Sequence, residues 1–130
     1  TSDDKHPDFP IDWNDLFERI GDEEIITEFA SSFIRNSEKL MVSLDRAVTD
    51  NDTEQIEMYA HALKGSASNM GAITLAKTAW QLEKAAAEKQ TAKALELFAF
   101  IRPAYESLHA LLQQADWMQQ AKHAALVHSS

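Results

Sequence analysis

The chain contains no cysteine, only three glycines and three prolines, and no apolar run near the roughly 20 residues that a bilayer-spanning helix needs. Without cysteine there is no disulfide, no thiolate metal site and no cysteine nucleophile, a usage that fits a reducing compartment. Positive charge is also scarce: 12 Lys and Arg stand against 21 Asp and Glu, for a net charge of −9. A general nucleic-acid surface needs clustered Lys and Arg, so the balance argues against one. The opening residues 1–10 are polar and lack the apolar stretch of a signal peptide, and they read as a flexible N-terminal segment. The first residue is Thr1 rather than Met, so the expectation is a piece cut from a longer protein.

What remains is suited to one helical domain. The length is 130 residues with 45% hydrophobic content, enough for a core without staples. Apolar residues recur at steps of three and four and rarely alternate, so the class is all-α. Asp12 caps a short first helix carrying Trp13, Leu16 and Phe17, which ends near Gly21. Asp22 opens a long helix with Glu23 and Glu24 in its first turn, where negative charge suits the dipole. Its apolar stripe reads Ile26, Phe29, Phe33, Leu40, Leu44 and Ala47.

Asp52 with Gln55 makes a capping box for the next helix, which turns Ile56, Ala60, Leu63 and Ala67 inward and breaks around Gly71. A further helix spans about residues 72–89 with Leu75, Ala79, Leu82 and Ala86 on one side. The last begins near Thr91 and shows Ala94, Phe98, Ile101, Tyr105, Leu108 and Leu112; Pro103 inside it implies a kink rather than two helices. Short connections make neighbours antiparallel. The expected architecture is an up-and-down four-helix bundle over residues 11–115 with a short extra N-terminal helix. Residues 116–130 lose the pattern and read as a frayed helix end or disordered tail.

The chemically informative stretch runs from Ala60 to Ala72. His61 lies about 100° from Ala60 on the helix, and Lys64 and Gly65 follow it at i+3 and i+4 on one face. An exposed imidazole whose other nitrogen is held can attack phosphorus. A lysine one turn away supplies charge for phosphoryl oxygens. A glycine inside a helix costs about 1 kcal/mol relative to alanine, which suggests close approach to the backbone. Spacing alone leaves the bland readings open: a solvated histidine, an ordinary surface lysine, and a glycine that eases helix packing.

His61-Ala62-Leu63-Lys64-Gly65 followed by Gly71-Ala72 resembles the signature of the histidine-containing phosphotransfer (HPt) family. Ile11-Asp12-Trp13 with Leu16, then Gly21-Asp22-Glu23, resembles the usual entry to these domains, and Leu82-Glu83 resembles a common downstream pair, so the likeness covers roughly residues 11–113. The resemblance implies a four-helix phosphorelay carrier, not an enzyme, without ATP-binding machinery. His61 would be phosphorylated through Nε2, Lys64 would stabilise the phosphoryl group, Gly65 would admit the partner, and Glu83 would orient the imidazole.

The implied partners are response-regulator receiver domains, which would bring Mg²⁺ with them; the chain itself would hold no cofactor and no metal. It also implies a cytoplasmic monomer with no nucleic-acid or direct membrane contact, for instance the C-terminal module of a hybrid sensor kinase. An apolar docking patch is expected from Met58, Ala62, Met70, Phe17 and Ile20, with Ser68 and Asn69 either on its rim or serving as ordinary helix-end polarity.

Rival readings are an adaptor bundle in which His61 is incidental, a metal-dependent bundle enzyme, and the phospho-accepting domain of a chemotaxis-type kinase. Against the metal enzyme, the sequence has no matched pair of Glu-x-x-His motifs, and His6, His109, His123 and His128 form no ligand set. Gly71 reads as a left-handed helix cap. Trp13, Trp80 and Trp117 read as core or rim anchors.

Overall fold

A computed structural model describes residues 11–129; the segment 1–10, expected to be flexible, lies outside the described residues. Six helices follow one another: α1 (Trp13–Ile20), α2 (Glu23–Thr49), α3 (Thr53–Asn69), α4 (Ile73–Ala87), α5 (Thr91–Gln113) and α6 (Trp117–Ser129). Among the described residues there is no strand, and no helix is long and apolar enough to cross a membrane.

Three aspartates start three helices by accepting backbone N–H groups that would otherwise lack partners. Asp12 takes Asp15 N–H at 3.0 Å, Asp22 takes Glu24 N–H at 2.9 Å, and Asp52 takes Gln55 N–H at 3.2 Å. Gly71 follows α3 with φ +76°, and Ala72 N–H returns to the Ala67 carbonyl at 2.8 Å, closing the helix end. With only three residues between successive helices from α2 to α5, the chain has room only to reverse, and these helices pack in a closed ring, each against two others. α5 runs through Pro103 as one helix.

The core is built from Ile56, Ala60, Leu63 and Ala67 of α3 facing Leu75, Ala79, Leu82 and Ala86 of α4, both as the periodicity expects. The α2 stripe differs from that expectation. Its buried residues are Ile26, Ala30, Phe33, Ser37, Met41, Leu44, Ala47 and Val48, whereas Phe29 is 38% exposed and Leu40 half-buried. The stripe passes through Ser37, which an apolar count skips. Its hydroxyl is fully buried and satisfied, 2.9 Å from the Tyr105 hydroxyl of α5.

The stretch 116–130, expected to fray, forms α6 over Trp117–Ser129 and packs against α1. Trp117 stacks on Trp13 with ring centroids 5.9 Å apart, and Ala121 is fully buried. Its inward positions are Trp117 and Met118 followed by alanines, so the apolar signal is weak although the packing is close.

Candidate functional site

His61 stands at the middle of α3, on the side turned away from Ala60, Leu63 and Ala67. Those three are fully buried, which fixes the rotation of the helix and leaves the His61 side chain 66% exposed. Burial of the stripe therefore puts the imidazole on open surface. α4 runs alongside α3, and from it Glu83 reaches across the pair.

Glu83 Oε2 lies 2.9 Å from His61 Nδ1. A carboxylate only accepts, so Nδ1 carries the proton and donates it to Glu83. In the neutral ring the lone pair is then on Nε2, which has no bonding partner among the described residues and faces solvent. The other oxygen of Glu83 meets Lys64: Nζ and Oε1 are 3.3 Å apart, with the Lys64 side chain 30% and Glu83 20% exposed. Oε1 is buried, and its contact with Lys64 is an ion pair without hydrogen-bond geometry. Through Glu83, Lys64 and His61 share one carboxylate.

Gly65 completes the face. A Cβ built on it would meet nothing within 4 Å, so its smallness eases no packing inside this chain. The space it leaves is outside the domain, beside the imidazole. The structure thus brings His61, Lys64, Gly65 and Glu83 together, the four residues singled out in the sequence.

The surroundings follow the expected patch in part. Met58 is 55% exposed one turn before His61, and Ala62 is exposed beside it. Phe17 and Ile20 of α1 are half-buried. Met70 does not belong to the patch: it is 1% exposed, turned into the core where α3 ends. On α2, Ile25 and Phe29 are exposed apolar residues, at 42% and 38%. Phe29 borders a groove of about 260 Å³ between α2 and α3, with Ser32, Asn36, Ser66 and Asn69 on its walls. The signal for Phe29 was its place between Ile26 and Phe33, which suits a stripe edge as well as its centre.

One other histidine is paired in a similar way. His109 Nε2 lies 2.7 Å from Glu38 Oε2, and its ring packs 5.6 Å from Tyr105. Here Nε2 is the nitrogen engaged and the side chain is only 28% exposed, so the outward nitrogen is tied up. Glu106, three residues before His109, is not its partner, and among the described residues no group of three His, Asp, Glu or Cys could hold a metal. His123 is exposed, and His6 and the side chain of His128 lie outside the described set. Trp13 is buried, Trp117 half-buried, and Trp80 is 45% exposed beneath the Lys84 ammonium, 4.5 Å from its ring centroid.

The family model of the Hpt domain matches residues 28–124, a span that holds the whole His61–Glu83 arrangement. The chain belongs to the Hpt family. The matched span of this Hpt domain reaches into α6, beyond the four-helix ring. A similar solved structure is that of histidine-containing phosphotransfer protein B from Pseudomonas aeruginosa, at 25% identity and a TM-score of 0.69 over 92% of this chain and 98% of that one. No curated protein matches the sequence. Family and fold together support histidine phosphotransfer in a phosphorelay as the function of this Hpt domain, a carrier's role rather than a kinase's.

Proposed function

We propose that His61 carries the phosphoryl group, taking it from the phospho-aspartate of one receiver domain and giving it to another response regulator. The observation that supports this most is the orientation of the imidazole. Nδ1 is held at 2.9 Å by Glu83, and Nε2 faces outward on a side chain that is 66% exposed.

In the forward step the Nε2 lone pair attacks phosphorus in line with the aspartyl oxygen. The N–P bond forms as the O–P bond breaks, and the aspartate leaves as a carboxylate. The Nδ1 proton stays on the ring, so the phosphorylated imidazole keeps its bond to Glu83. Lys64 Nζ, loosely paired at 3.3 Å, turns toward the phosphoryl oxygens and shares their charge. Mg²⁺ would be brought by the receiver, and the carrier would need no cofactor or ATP site of its own. The open surface at Gly65 lets the rim of the receiver's site approach the α3 backbone. The exposed apolar side chains Met58, Ile25 and Phe29 give that partner a surface to cover.

The test is incubation with a phosphorylated receiver and Mg²⁺, following acid-labile, alkali-stable label on wild type and His61→Gln. Label on wild type alone is the expected result. Label on both would assign the chemistry to another residue, and label on neither, across a panel of receivers, would favour the adaptor reading.

A further inference from the structure

The proposed transfer site explains α2, α3 and α4 but leaves α6 without a task. We propose that α6 is a positioning element for the receiver-binding face: Trp117, by stacking on Trp13, holds α1 at the rim of the His61 surface. The inference rests on the reading of His61 as the transfer residue.

α1 has eight residues, well below the roughly 12–15 at which a helix is even marginally stable by itself. Its place is set from two sides. Toward the bundle, Ile11, Trp13 and Leu16 are buried, Asp12 N–H donates to the Gly71 carbonyl at 2.8 Å, and the Arg19 guanidinium donates to the Asn69 carbonyl at 3.2 Å. On the other side is α6. Trp117 lies nearly parallel to Trp13, at 23° with centroids 5.9 Å apart, and Lys122 reaches Glu23 at the start of α2 at 2.9 Å. Both partners of that ion pair are exposed, so it contributes little, and the indole stack is the largest side-chain contact beside the fully buried Ala121.

The rim matters because of distance. Asn69 is eight residues beyond His61, roughly 12 Å along the helix. A standard interface covers roughly 800 Å² per partner, a disc about 16 Å in radius. A receiver centred on His61 therefore reaches the Arg19–Asn69 contact and the half-buried Phe17 and Ile20. Loosening α1 should weaken docking while leaving Nδ1, Glu83 and Lys64 as they are.

The experiment uses the full chain with Trp117→Ala and Trp117→Phe, one receiver, and a small phosphoramidate as a receiver-independent donor. The readouts are KM and kcat of transfer and hydrogen exchange of the α1 amides. The expected result for Trp117→Ala is a KM for receiver raised roughly 5- to 10-fold, with kcat and phosphoramidate labelling of His61 within about twofold of wild type. Protection should fall in α1 but not in α3 or α4, and Trp117→Phe should restore most of both. Unchanged α1 protection would overturn the positioning role. Faster α1 exchange with unchanged KM would overturn its link to docking. Loss of protection throughout α3 and α4 would make Trp117 a general stability residue and overturn the inference as well. If wild type exchanges nothing with any receiver, it is the transfer reading that fails, and the inference falls with it.

Discussion

Glu83 and His61 are 22 residues apart in the chain and 2.9 Å apart in space, joined by the carboxylate that fixes the imidazole proton on Nδ1. The same carboxylate lies 3.3 Å from the Lys64 ammonium, so one side chain from α4 organises two from α3. α3 and α4 are packed along buried faces in which the small residues Ala60 and Ala67 on one helix and Ala79 and Ala86 on the other alternate with larger ones. That close approach is what lets a glutamate span the pair.

Removing the carboxylate should therefore affect transfer more than folding. Glu83→Ala frees the ring and unpairs Lys64, and the expected loss in transfer rate is on the order of 10- to 100-fold. Glu83→Gln keeps an acceptor for Nδ1–H and should lose less. A double-mutant cycle with Lys64→Ala should be non-additive, because both residues share one partner. Single-turnover transfer kinetics measure each term, and additive effects would mean that the two act separately.

Gly65 separates stability from docking. With nothing within 4 Å of a built Cβ, Gly65→Ala should raise stability by up to about 1 kcal/mol through helix propensity. Gly65→Gln should fold as well but raise KM for the receiver, since its side chain fills the approach beside His61. Thermal unfolding checks the first expectation and transfer kinetics the second. A Gly65→Gln protein with unchanged KM would remove the close-approach role.

Gly71 is the opposite case. Its φ of +76° is left-handed, and a Cβ there would come to 3.4 Å from the Asp12 carbonyl and 3.5 Å from Ile11 Cγ2. Gly71→Ala should cost about 1–2 kcal/mol in urea unfolding from the backbone alone. It should also press on the Ile11–Asp12 segment that leads into α1, so α1 amides should exchange faster.

Tyr105 gives an alkaline dependence. Burial raises its phenol above the ordinary 10.0, the Ser37 hydrogen bond opposes that rise, and the Glu38 carboxylate adds to it. A raised folded value means that the unfolded chain ionises first. The stability tied to the neutral phenol is intact below about pH 10 and is lost as pH rises through the folded value. Tyr105→Phe should cost about 1 kcal/mol near neutrality, where it removes the 2.9 Å bond to Ser37. It should also show a smaller stability loss than wild type when urea unfolding is repeated at about pH 11.

Sequence order alone determined the helices from α1 to α5, the rotation of α3 and the motif on its outer face. Apolar residues at helical spacing decide which side is buried, and Ile56, Ala60, Leu63 and Ala67 leave His61, Lys64 and Gly65 outside whatever else happens. Three capping aspartates and Gly71 were equally local signals.

Tertiary structure decided the rest. Whether Glu83 met the imidazole depended on the register of α4 against α3, which no local rule sets. Ser37 hid in the core because its partner, Tyr105, is 68 residues away. Phe29 and Met70 exchanged roles because each lies near the edge of a stripe, and only the neighbouring helices show which side of that edge is covered. α6 was missed for the same reason: with few large apolar residues at helical spacing, it is stable here through the Trp117 indole and its packing against α1, not through a pattern of its own.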